Sequence, residues 1–153
     1  VGGDTMFANM YAAYETLSPA MQAFLDPLQA VHDFMNSKDM ANRDPVTVEA
    51  MKQRTPPVAQ PVVRVHPETG RKALYVNRTF TTRINELADA ESAAILDLLF
   101  NHCEQIDFQI RFRWERNDMA FWDNRCTMHH AVWDYWPHER KGRRVTIKGD
   151  RPT

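Results

Sequence analysis

The residue types best suited to chemistry gather in one stretch, Trp122-Asp123-Asn124-Arg125-Cys126-Thr127-Met128-His129-His130, followed by Arg140 and Arg144. Alternate residues of a strand share a face. Extended backbone here would set His129 with Thr127 and Ala131 and turn Cys126, Met128 and His130 the other way. A neutral imidazole ligates a borderline metal, and a guanidinium grips carboxylate or sulfonate through a bidentate fork. Arg140 and Arg144 lie eleven and fifteen residues beyond His129, and on extended backbone both can face the same cavity as the imidazole. The adjacent Arg143 leaves open which of the pair is turned inward. Guanidiniums turned inward are costly without counter-charges, so the pattern predicts anionic ligands beside a metal.

Each of these residues has a plainer reading. Arg140 on composition alone belongs to the solvated run Glu139-Arg140-Lys141. Cys126 and His129 have ligand-like spacing, but one Cys-x-x-His without a second pair is weak evidence for zinc. His130 points away and reads as structural, and His66, His102 and His138 have no supporting context. Trp133, Tyr135 and Trp136 read as packing or a subunit contact.

The elements that must position this stretch follow from periodicity. Gly2-Gly3-Asp4-Thr5 reads as a turn leading into a helix over Met6 to Leu17, with Thr5 or Asp4 as its cap. Ser18-Pro19 starts a second helix that runs to about Phe34. Residues 36–60 are polar and read as a mostly irregular insertion. Pro61 to His66 and Ala73 to Val76 form a hairpin around Pro67-Glu68-Thr69-Gly70. A third helix spans Asp89 to about Glu104. Phe108 to Trp114 alternates strictly as a strand, Met119 to Trp122 is a short buried run, and Arg125 to Trp133 and Arg143 to Lys148 are further strands. Closely spaced antiparallel strands around helices suggest part of a β-sandwich or jelly roll with helices packed outside.

Composition bounds the rest. A chain of 153 residues is one domain's worth or a large piece of one, and its formal net charge of −1 gives no global case for nucleic acid or membrane. The basic stretch Arg140 to Lys148 could in principle bind nucleic acid, but the overall charge argues against it. No stretch approaches the roughly 18 apolar residues needed to span a bilayer. The two cysteines, Cys103 and Cys126, make no disulfide framework and read as buried thiols in a cytoplasmic protein.

The run Trp122-Asp123-Asn124-Arg125-x-Thr127-x-His129, with arginines at Arg140 and Arg144, resembles the taurine dioxygenase family. So do Gly2-Gly3-Asp4-Thr5, His32-Asp33-Phe34, Val62-Val63-Arg64-x-His66-Pro67, Leu74-Tyr75-Val76-Asn77 with Phe80-Thr81, and Gly149-Asp150-Arg151-Pro152, all in the family's order. The resemblance implies an α+β fold with a mainly β core, a double-stranded β-helix (jelly roll, clavaminate synthase-like) with helical insertions, incomplete at its N-terminus. Residues 1–153 would be the C-terminal part of a single dioxygenase domain. It also implies Fe(II) and the cosubstrate 2-oxoglutarate, with His129 as a metal ligand and Arg140 and Thr5 on the far carboxylate of 2-oxoglutarate. Arg144 would bind the cosubstrate or the substrate's anionic group, Phe80 would line the substrate pocket, and Trp122 would lie near the metal.

The implied reaction hydroxylates a small anionic substrate, taurine or another alkylsulfonate, with O2, releasing sulfite, succinate and CO2. Alkyl sulfates and aryloxyalkanoates are alternatives, and relatives lead one to expect a homo-oligomer. The family's other ligands form a His-x-Asp pair, and no His-x-Asp occurs here. His32-Asp33 and His138-Glu139 are adjacent rather than spaced. The chain is therefore expected to be a piece of a longer enzyme and inactive by itself. A metal-free jelly-roll protein that binds a small anion is the rival from another class.

Overall fold

The computed structural model describes residues 2–150, apart from the side chain of Asp39. Strand β1 (Thr5–Asn9) comes first, where a helix was expected. Met6-Phe7-Ala8 is too short an apolar run for periodicity to assign, and strands on both sides claim its backbone. The cap falls instead on Asn9, whose side chain accepts from the backbone of Tyr11 (3.1 Å) and Ala12 (3.3 Å) and starts α1 (Met10–Glu15). Thr5 and Asp4 therefore cap nothing.

Helix α2 (Pro19–Leu25) has the expected Ser18 cap and Pro19 start, but it stops well short of Phe34. Pro27 has no N–H to continue the ladder, and the chain turns into β2 (Gln29–His32). The supposedly irregular stretch holds two 3-10 turns and α3 (Pro45–Arg54), capped by Asp44. No residue of α3 is buried, so it carries no apolar stripe to reveal it. The remaining elements are β3 (Val58–Pro61), β4 (Val63–Val65), β5 (Lys72–Leu74), β6 (Thr81–Ile84), α4 (Asp89–Cys103), β7 (Gln109–Phe112) and β8 (Thr127–Ala131).

The strands form three small antiparallel sheets in the orders β7-β1-β8, β3-β2-β6 and β4-β5, the last being the expected hairpin. Among the described residues they close no barrel. Helices α1 and α4 pack on the sheets, and Leu25, Leu74, Ile84, Leu99 and Cys103 are at most 1% exposed in the core between them. At the head of α4 the Glu91 carboxylate reaches back to the Ala88 amide (3.0 Å).

Three further expectations fail. Met119 and Phe121 are 90% and 86% exposed, so that run is not buried. Residues 143–148 form no strand. Their alternation needs a neighbouring strand, the described residues provide none, and Val145 stands 92% exposed. Cys103 is buried, but Cys126 is only partly so. Arg151 and Pro152 lie outside the described residues. No helix is long and apolar enough to cross a membrane.

Candidate functional site

The sheet β7-β1-β8 is what brings the distant residues together. In its register Thr5 stands opposite Ala131 and Phe112, and Phe7 opposite His129 and Ile110. Paired residues share a face, so Thr5, Phe7 and His129 lie on one side of the sheet, as the alternation predicts. On the other side Ala8 belongs to the core and Met128 packs against it.

His129 helps line a cavity of about 660 Å³, to which Phe80 and His32 also contribute. Its ring lies 5.1 Å from that of Trp122 and 6.2 Å from that of Phe7. Desolvation by this packing holds the imidazole below its ordinary pKa, and the charges of Arg144 and His130 lower it further. At neutral pH the ring is therefore neutral, with a lone pair to offer. No hydrogen bond among the described residues engages its nitrogens, so one metal-coordination position is available here.

Thr5 and Arg140, 135 residues apart, meet at 3.3 Å from Arg140 Nη2 to Thr5 Oγ1. Trp114 Nε1 donates to the same oxygen at 2.9 Å. A hydroxyl has two acceptor lone pairs and one proton. Both lone pairs of Thr5 are engaged by donors, which leaves its proton for an acceptor. An anionic oxygen between that hydroxyl and the guanidinium would satisfy both. The approach of Arg140 depends on Gly3, whose φ is +74° and whose absent Cβ would stand 2.8 Å from Arg140 Cδ. Gly2 does the same for the backbone of Asp134, 2.6 Å from its Cβ position.

Arg144 touches neither Thr5 nor Arg140. Among the described residues it makes no hydrogen bond or ion pair, but its charge helps to lower the pKa of His129, which singles it out from Arg143. Phe80 stacks on Phe34 with ring centroids 5.7 Å apart, at the cavity wall. The structure thus unites Thr5 with Arg140 and sets His129 with Phe80, and His129, Arg140 and Arg144 are all exposed.

Several contributors escape the sequence reading. Arg111 binds Asp4 (2.6 Å) and Asp134 (2.9 Å), tying β7 to both flanks of the Thr5 corner. Asp134 also accepts from the Gly3 amide at 2.7 Å. Strict alternation marks Arg111 as polar-side but does not say what it pairs with. His66, expected to lack context, is buried. Its Nδ1 accepts from the backbone of Glu68 and Thr69, so Nε2 carries the proton and donates to Asp123 Oδ2 at 3.1 Å. Asp123 is also gripped by Arg125 (2.7 Å), which holds its carboxyl far below the usual range.

His66, Asp123 and Cys126 are the only trio of potential metal ligands close together among the described residues. An Nε2–H facing the carboxylate and a guanidinium already on it speak against an ion there. Contrary to the expectation that no His-x-Asp or His-x-Glu pair occurs, His66-x-Glu68 and His102-x-Glu104 have the spacing of a ligand pair. The first histidine is engaged on both nitrogens, and the second holds the Ala13 carbonyl (2.7 Å) with Nε2. The fit to a two-His, one-carboxylate centre is therefore partial, with His129 as a single donor.

Comparison with known proteins follows the same lines. The family described as "Taurine catabolism dioxygenase TauD, TfdA family" matches residues 1–146. An alpha-ketoglutarate-dependent sulfonate dioxygenase of Saccharomyces cerevisiae is 38% identical over 99% of the chain, and an alpha-ketoglutarate-dependent sulfate ester dioxygenase of Pseudomonas putida is 39% identical over 99%. The chain spans only 36% and 52% of their lengths. The crystal structure of AAD-2 in complex with Mn(II) and N-oxalylglycine superposes with a TM-score of 0.85 at 34% identity, over 99% of this chain and 59% of that one.

Proposed function

The chain belongs to the taurine catabolism dioxygenase TauD, TfdA family, and from that premise we propose that residues 1–153 are the C-terminal part of one Fe(II)- and 2-oxoglutarate-dependent dioxygenase domain. In the complete domain these sheets would be part of a double-stranded β-helix. The observation that carries the reading is the Thr5–Arg140 contact on the face of the sheet that also bears His129.

In this reading His129 holds the iron together with donors from beyond this chain. Bound iron would supply oxygen activation, coupling oxidation of the substrate to conversion of 2-oxoglutarate into succinate and CO2. The chain's own residues bind and orient. Arg140 and the Thr5 hydroxyl take the far carboxylate of 2-oxoglutarate, and Trp114 fixes the threonine oxygen. Arg144 faces the substrate's anionic group, Phe80 bounds its organic part, and Phe7 with Trp122 keep water from one side of His129. Hydroxylation at the carbon bearing a sulfonate gives a product that collapses to an aldehyde and sulfite. The substrate class is a small anion, with taurine or another alkylsulfonate first, and an alkyl sulfate or aryloxyalkanoate as alternatives.

The test is succinate release by the complete protein with iron(II), 2-oxoglutarate and a panel of those anions. Release that depends on one panel member and vanishes in His129→Ala supports the enzyme. The second reading, a metal-free anion binder, is favoured by the single ligand found here. It predicts anion binding with no release and no effect of iron.

A further inference from the structure

The stretch that carries both arginines has no helix or strand between residues 132 and 150. Its start is well fixed. The Val132 amide donates to the Asp4 carbonyl at 2.9 Å, and Asp134 is held by Gly3 and Arg111. After the Arg140–Thr5 contact the fixing stops. Among the described residues, 141–149 make no hydrogen bond or ion pair to the rest of the chain beyond the local Lys141–Glu139 pair. Burial does not hold the stretch either, since Val145 and Ile147 are 92% and 74% exposed.

The chain is caught again at Asp150. One of its carboxylate oxygens accepts from Arg64 Nη2 at 2.9 Å, and the other lies 3.7 Å from Arg125 Nη1. Arg64 is 3% exposed, lies on β4 with its guanidinium 5.1 Å from the Tyr75 ring centroid, and has an Nε with no partner among the described residues. A guanidinium that deep needs a carboxylate, and Asp150 is the one it has. That need draws the far end of the stretch back to the hairpin β4-β5. The segment becomes a strap tied at Asp134 and at Asp150, with Arg140 and Arg144 between the ties. Tying both ends removes conformations that the arginines would otherwise lose on binding an anion.

We propose that Asp150 is a positioning residue, latching the strap through Arg64 and Arg125 so that Arg140 and Arg144 are held ready for anions. The proposal rests on the anion-binding role given to Arg140 above. It makes no claim on the substrate.

The test is calorimetric titration of the complete protein with 2-oxoglutarate, alongside thermal melting. Asp150→Ala leaves Arg64 buried and unpaired, so it is expected to lower the melting temperature and weaken 2-oxoglutarate by roughly tenfold, as when an orienting partner of a binding group is lost. The double variant Arg64→Met with Asp150→Ala removes the stranded charge. It is expected to regain the melting temperature while binding stays weak. Affinity that returns to wild type in the double variant, or never falls in Asp150→Ala, overturns the latch. A wild-type protein that does not bind 2-oxoglutarate overturns the reading of the site, and the latch with it.

Discussion

At the scale of single residues, the chain separates groups held in one state from groups left open. Burial pushes the Cys103 thiol up to about 12, so it stays protonated and unreactive at ordinary pH. Cys126 is only partly buried. Iodoacetamide at pH 8 should therefore label Cys126 in the native protein and reach Cys103 only after denaturation, as read by mass spectrometry. Equal labelling of both would contradict the packing of α4. Asp123 gives a second test. Its folded pKa is depressed, so its contribution to stability is complete above the unfolded value of about 3.9 and is lost as pH falls through the folded value. Asp123→Asn should lower the urea midpoint at pH 7, and its deficit should shrink progressively below about pH 4. A deficit that is constant with pH would mean that the His66 and Arg125 contacts do not set the charge of Asp123. The face on which His129 lies is legible from alternation, whereas its role as a ligand is what the family resemblance implies. Trp114, Arg111 and Asp150 were not legible, because each acts through a partner more than twenty residues away that no local pattern names.

At the scale of elements, legibility follows periodicity in the sequence. An apolar stripe marks helix α4 and a strict alternation marks β7. Helix α3 was missed because it has no stripe, and β1 was misread because three apolar residues fit either period. The same contrast predicts stability. Leu99→Ala, at 0% exposure in α4, should cost about 2–5 kcal/mol. Asn9→Ala, which removes the cap that ends β1 and starts α1, should cost about 1 kcal/mol. Val46→Ala in α3, 77% exposed, should stay within about 0.5 kcal/mol. Chemical denaturation of the complete protein checks all three, and an Asn9→Ala effect of zero would mean that the Asn9 side chain does not cap α1.

At the scale of the whole molecule, the chain presents more apolar surface than a self-sufficient domain should. Ile110, Phe121, Trp133, Trp136 and Val145 are each at least 67% exposed, and among the described residues β7 and β8 are edge strands. Open edges and apolar patches invite self-association. Expressed alone, this chain should sediment as concentration-dependent aggregates, whereas the complete protein should give one defined species. A monodisperse isolated chain would show that these surfaces need no cover. The overall class was legible because landmarks spread along the chain agree in order. The expected double-stranded β-helix is not completed by the described residues, whose sheets close no barrel and where 143–148 alternates like a strand yet finds no neighbour.

The central claim is that His129 and the Thr5–Arg140 pair form one metal and anion site. Its most direct test is a crystal structure of the complete protein with manganese(II) and N-oxalylglycine, the pair present in the AAD-2 crystal. The account predicts the metal on His129 and a carboxylate of the ligand between the Arg140 guanidinium and the Thr5 hydroxyl. A metal bound instead among His66, Asp123 and Cys126, or a ligand with no contact to Arg140, would contradict it.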